Sequence, residues 1–188
     1  MAKSPASKAP APKRPAAKRA APSPAPSQPP AAKRAAPSPA PSQRPARPEG
    51  MPWLSPYLTV RDASAAIAFY EKAFGFKTKN VMPGPDGKPG HVEMSWKDAL
   101  IMLASEGAFG GTCKAPATSG ALSPVTLYVY CDDVDALHAK ATAAGAKTAF
   151  PPTTMFWGDR LCKLTDPDGH VWNFATNVAD FDPSNTPK

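Results

Sequence analysis

RDASAAIAFYEKAFGFKT, residues 61–78, returns seventy residues later as CDDVDALHAKATAAGAKT, residues 131–148. Asp62 matches Asp132, Ala66 matches Ala136, Gly75 matches Gly145, and Lys77-Thr78 matches Lys147-Thr148. Each copy has an acidic start, one apolar stripe at helical spacing and a glycine stop, the marks of a capped amphipathic helix. The stripes are Ile67, Tyr70 and Phe74 in the first copy and Val134, Leu137 and Ala141 in the second. Self-similarity of this kind means one supersecondary unit used twice.

The flanking sequence repeats as well. WLSPYLTV (53–60) reads as a strand before the first helix. A short strand near 77–82, the turn PGPDGKPG (83–90), HVEMSW and ALIMLAS follow it. Ser105 to Pro124 is rich in Gly, Ala and Ser and reads as a linker. The second unit then runs VTLYVY, helix 134–144, a strand near 147–150, the loop PPTTMFWG, DRLCKLT, the turn DPDG (166–169) and HVWNFAT. The fold class is therefore α+β, two βαβββ modules across residues 51–178, with 179–188 as a C-terminal tail.

Composition divides the chain near Gly50. Residues 1–50 hold 14 of the 26 prolines and ten Lys or Arg against one acid, a net +9, while the rest of the chain carries −2. AAKRAAPSPAPSQ occurs at 16–28 and again at 31–43. Such a segment has little to bury and its prolines block helix and sheet, so disorder with polyproline-like stiffness is expected. It reads as a solubilising spacer or as a sequence-blind, salt-sensitive contact with nucleic acid or another polyanion. Three widely spaced cysteines give neither a disulfide framework nor a CxxC motif. No apolar run reaches the roughly 18 residues of a membrane span, and the basic N-terminus lacks a signal-peptide core. A cytoplasmic protein, nucleoid-associated if the tail binds DNA, is the expectation.

The runs PYLTVRDASAAIAFYEKAFGF, GHVEMSW with DALIMLASE, LYVYCDDVDAL, FWGDR and DPDGHVWNFAT, in that order, resemble the vicinal oxygen chelate superfamily. This is the glyoxalase, bleomycin-resistance and extradiol-dioxygenase group, and the look is nearest to its PhnB-like branch. The resemblance covers nearly everything after the tail. It implies that the modules curl into a cup of mixed sheet with helices outside and a ligand or metal inside. Metal-dependent members place His, Gln or Glu in the first, fourth, fifth and eighth strands; the matching positions here are Ser55, Met102, Thr126 and Asn173. None is a usual ligand for a divalent metal, and neither are their immediate neighbours. No metal and no cofactor are therefore expected.

Strand alternation fills the cup. If Leu58 and Val60 face the first helix, Ser55, Tyr57 and Thr59 face inward, with Met102, Thr126, Tyr128, Tyr130, Val171, Asn173 and Ala175. That lining suits a mostly apolar or aromatic molecule with polar handles. His91 and Glu93, two apart on one strand, are candidates for a general acid–base pair, or else a solvated strand face. Phe156 and Trp157 can stack on a planar ligand with Arg160 meeting an anionic group, or Trp157 can pack the modules together while Asp159 pairs with Arg160 or a neighbour. His170 reads as a surface or turn residue and His138 as exposed. The leading expectation is a metal-free binder of a small molecule, of the sequestering bleomycin-resistance kind, and a homodimer. The alternatives are a lyase or isomerase using His91 and Glu93, and a nucleoid-associated scaffold acting through the tail.

Overall fold

The structure, a computed structural model, describes residues 45–187. The expected disorder and polyanion contact of the N-terminal tail fall mostly on residues 1–44, outside the described residues. β1 (Tyr57–Val60), α1 (Ala63–Ala73), β2 (Lys77–Pro83), β3 (Pro89–Trp96) and β4 (Ala99–Ser105) make the first module. A linker with a single 3-10 turn (Ala108–Gly110) and one short α-helix, α2 (Pro116–Ser119), leads to β5 (Thr126–Tyr130), α3 (Val134–Ala143), β6 (Lys147–Thr154), β7 (Asp159–Thr165) and β8 (Val171–Asn177). The sheets run β1-β4-β3-β2 and β5-β8-β7-β6, with β1∥β4 and β5∥β8 parallel and the other pairs antiparallel. Two βαβββ modules thus stand as two open mixed sheets. Among the described residues every ladder joins strands of one module.

Both helices start and stop as their sequences dictate, with one shift. Asp62 Oδ1 accepts from the Ala65 amide at 3.0 Å, capping α1. In α3 the cap is Asp133, one residue later than the repeat suggests, its Oδ1 accepting from Ala136 N at 2.9 Å. This frees Asp132 to pair with Lys97 on the β3–β4 turn at 2.6 Å. A hydroxyl from the last strand of each module also holds the helix start: Ser105 Oγ accepts from Ala63 N, and Thr176 Oγ1 from Val134 N, both at 3.0 Å. Gly75 then ends α1 with φ +83, in the left-handed region a side chain disfavours.

One core serves both modules. Tyr70, Phe74 and Phe76 from the first meet Trp172 and Phe174 from the second, with Tyr70–Trp172 centroids 5.4 Å and Phe74–Phe174 centroids 4.7 Å apart. Trp96 of β3 reaches Phe174 at 6.1 Å. α1 and α3 touch each other as well. The helix-bearing faces of the two sheets therefore meet inside the chain, and the opposite face of each sheet is left open. Burying aromatics of this size contributes about 1.5–3 kcal/mol each.

The DPDG turn ties the modules together. Asp166, 4% exposed, accepts from Tyr70 Oη at 2.7 Å and Trp172 Nε1 at 2.9 Å through Oδ2. Through Oδ1 it accepts from the amides of Asp168 at 3.0 Å and His170 at 2.9 Å. Burial and this carboxylate push the Tyr70 hydroxyl well above its usual range, so it remains the donor. Asp168 Oδ1 accepts from Arg61 Nε at 2.8 Å and from the Arg61 amide at 3.1 Å. His170 corrects the surface reading: it is buried, with Nε2 2.9 Å from the Thr59 carbonyl of β1. His138 shares a 2.8 Å hydrogen bond with Thr148 Oγ1 across to β6.

The segments between and after the modules are docked. The Ala117 amide donates to Asp168 O at 2.9 Å, which seats α2 on the DPDG turn. After β8, the amides of Val178 and Ala179 donate to Gly158 O at 2.9 and 3.1 Å, and a Cβ at Gly158 would strike the Ala179 carbonyl. Asp166→Ala should strand four buried donors and cost roughly 3–5 kcal/mol in urea unfolding. A loss below 1 kcal/mol would remove the turn from its place as the lock between modules.

Candidate functional site

The open faces follow from the pleat. On the first sheet Leu58, Val60, Val92, Met94, Ile101 and Leu103 belong to the core, which puts Tyr57, Thr59, His91, Glu93 and Met102 on the other side. On the second, Leu127, Val129, Cys162, Leu164, Trp172 and Phe174 face the core, leaving Thr126, Tyr128, Tyr130, Asp159, Lys163 and Asn173 outside. Ser55 lies two residues ahead of β1, in irregular chain rather than in a strand.

The duplication shows in matching rows. Tyr57, Met102 and Glu93 align across β1, β4 and β3; Tyr128, Asn173 and Lys163 align across β5, β8 and β7. Each module thus presents a tyrosine on its edge strand beside a central residue, and the two rows end on opposite charges. Asn173 Oδ1 is the buried side-chain polar atom without a hydrogen-bond partner among the described residues. Such an atom calls for a donor from elsewhere.

On the first face three polar groups form a chain. Tyr57 Oη lies 2.8 Å from His91 Nδ1, and His91 Nε2 lies 3.6 Å from Glu93 Oε1. Tyr57 Oη and His91 Nδ1 share this hydrogen bond, its direction set by the imidazole tautomer, with the Glu93 carboxylate near the other ring nitrogen. Burial pushes the Tyr57 hydroxyl above its usual range. The arrangement can hold or move a proton at Tyr57 Oη.

On the second face the organising group is Asp159, 3% exposed. Its Oδ2 accepts from Tyr128 Oη at 2.9 Å, Tyr130 Oη at 3.0 Å and Trp157 Nε1 at 3.2 Å, and Oδ1 accepts from Asn177 Nδ2 at 3.2 Å. Burial opposes its charge, but these hydrogen bonds outweigh burial and hold the carboxyl below the ordinary aspartate range. Both tyrosine hydroxyls are pushed up in turn, Tyr128 first by burial and Tyr130 first by its bond to Asp159.

The MFWGDR loop splits between faces. Trp157 turns to Asp159, and Phe156 stands edge-on to Trp157 at 4.9 Å and near Phe181 at 6.4 Å. Arg160 sits on the helix side instead, making two 2.7 Å bonds to Asp135 of α3. That placement removes it from the ligand-facing set and from Asp159. Neighbours on a strand point to opposite faces, so alternation already forbids an Asp159–Arg160 pair. It also puts Asp159 level with Leu161 and Lys163, the signal by which this carboxylate was legible.

Two βαβββ modules with polar groups gathered on open sheet faces define a protein of the glyoxalase-like class. The model of the Glyoxalase/Bleomycin resistance protein/Dioxygenase superfamily matches residues 50–174, and the chain belongs to that superfamily. It is 37% identical over 131 residues to an uncharacterised protein of Mycobacterium bovis, covering 69% of this chain and 86% of the relative. A protein of Mycobacterium tuberculosis strain H37Rv matches at the same identity over 76% of its length. Among solved structures, TioX from Micromonospora sp. ML1 superposes with TM-score 0.53 at 25% identity, over 65% of this chain and 95% of TioX. An Arabidopsis thaliana gene product gives TM-score 0.54 at 24% identity, over 66% and 98%, which speaks for the fold alone.

The metal of the chelating members finds no fit here. Ser55, Met102, Thr126 and Asn173, the residues that the resemblance sets at the ligand positions, offer no imidazole, carboxylate or thiolate, and among the described residues no three His, Cys, Asp or Glu side chains gather as a metal site needs. Among those residues no helix is long and apolar enough to cross a membrane.

Proposed function

We propose that this protein binds a small, mostly apolar or aromatic molecule in cups that two copies build together. The first-sheet face of one copy would cover the second-sheet face of the other. The observation that carries this reading is the exposure of Tyr57 (53%), Met82 (47%), Tyr128 (44%) and Tyr130 (58%) on faces the chain's own core does not cover. Large apolar side chains left exposed on an uncovered sheet face mark an interaction or ligand surface. Ligand contacts are assigned to Tyr57, Met102, Thr126, Tyr128, Phe156, Trp157 and Asn173, with Ser55 at the entrance. Sequestration, as in the bleomycin-resistance branch, is the role that fits such a lining.

A second reading rests on the Tyr57–His91–Glu93 chain, which suits a lyase or isomerase that moves a proton on the same ligand. Turnover, read as solvent deuterium entering a co-purified ligand, should fall about 100-fold or more in His91→Ala. A ligand that leaves the wild-type protein unlabelled ends this reading. The tail, with ten Lys or Arg in residues 1–50, is assigned polyanion contact; unchanged DNA mobility at low salt, with and without residues 1–44, would dismiss it.

The shared cup is tested by mixing chains. One variant carries Tyr57→Ala and His91→Ala, the other Tyr128→Ala and Asn173→Ala, and each alone should fail to retain the co-purifying organic mass in native mass spectrometry. Equal mixing should restore about a quarter of the sites, because half of the dimers then hold one intact cup. No restoration, or a monomer in sedimentation, overturns the reading.

A further inference from the structure

Asp159 is an almost fully buried carboxylate whose four hydrogen-bond donors are all neutral. The ion pairs among the described residues do not include it. A buried charge without a countercharge is costly, and four hydrogen bonds disperse it without cancelling it. The field of that charge reaches solvent through the groups that cover it, Tyr128 and Tyr130. Their ring centroids stand 5.4 Å apart with planes at 58°, and both rings remain about half exposed.

The hydroxyl hydrogens of this pair are fixed inward on Asp159. What the pair offers outward is therefore acceptor lone pairs and π faces, with no hydrogen to donate. Pinning both phenols to one carboxylate oxygen also fixes the rings before any ligand arrives. Beside them lies a cleft of about 620 Å³ that reaches the β3–β4 turn and is lined by Tyr128, Tyr130, Trp96, Asp98, Asp132 and Lys97. The one cation in that lining, Lys97, is already bonded to Asp132 at 2.6 Å. Lys163 shares the open face but stands two strands from Tyr128, beyond Asn173.

The geometry points to a recognition site for an organic cation, an alkylated ammonium group seated on Tyr128 and Tyr130 over the Asp159 carboxylate. Aromatic faces attract such cations through the ring quadrupole, and a carboxylate behind the rings adds to it. An anion is disfavoured here, since Asp98 and Asp132 line the cleft, Asp159 lies behind the rings and both tyrosine hydrogens are spent on it. This inference deepens the binding reading and rests on it, because Tyr128 belongs to both: it gives the mostly apolar ligand a positively charged end.

Choline and 3,3-dimethylbutan-1-ol, its neutral carbon isostere, are titrated into the full-length protein by calorimetry and by NMR of labelled tyrosine rings. Choline should bind at least about five-fold more tightly, shift the Tyr128 and Tyr130 ring signals, and weaken with added salt. Tyr130→Leu alters an exposed side chain and should keep the fold while abolishing the preference for choline. Asp159→Asn, checked for folding by circular dichroism, should do the same. Equal affinity for the two probes would leave the cup in place and overturn the cation site. Choline binding with unmoved tyrosine signals, or no binding of either probe, overturns it as well, and the mixed-chain experiment then judges the cup separately.

Discussion

The carboxylate of Asp166 holds four donors in the centre of the molecule, two of them from side chains that the sequence places almost one hundred residues apart or on the adjoining strand. It fixes Tyr70 of α1 against Trp172 of β8, and the aromatic core forms around that contact. Asp168, two residues on, holds Arg61 at the start of α1. The same short turn thus bonds to α1 and to the chain just before it, joining the two modules. Such a network is sound because each member is satisfied; one missing partner would leave charge or donors buried without compensation.

Because that core consumes the helix-bearing faces, everything chemically distinctive has been moved to the other faces. There the two copies of the module have diverged along matching rows. The first carries a tyrosine hydroxyl on an imidazole, with a carboxylate 3.6 Å beyond it. The second carries two tyrosines bound to one carboxylate, able to present electron-rich rings but no donor hydrogen. Duplication supplied two similar surfaces, and substitution at pleat-equivalent positions gave them opposite character, Glu93 standing where Lys163 stands in the other row.

Local sequence carried much of this. The Asp–helix–Gly punctuation at 61–78 and 131–148 fixed both helices, and period-two alternation set Leu58 and Val60 opposite Tyr57, put Tyr128 and Asn173 in the lining, and placed His91 and Glu93 on one face, which the structure shows is the one away from the core. These signals are short in range, set by caps and by the pleat, so they survive without tertiary knowledge. Partnership was less legible. Arg160 turned to Asp135 on α3, and Asp159 collected four donors from three places in the chain. His170 proved buried, because the surface a residue meets depends on which module packs over it.

The amino-acid sequence by itself determined the two βαβββ modules, their helices and the face on which each strand residue lies, since capping, glycine stops and alternation act within a few residues. Only the tertiary structure decided that the DPDG turn is the lock, that the helix-bearing faces share one core, and that Asp159 rather than Arg160 organises the second open face. Those outcomes depend on contacts between segments far apart in the chain, where the cost of burying charge and the need to satisfy each donor select one arrangement from many.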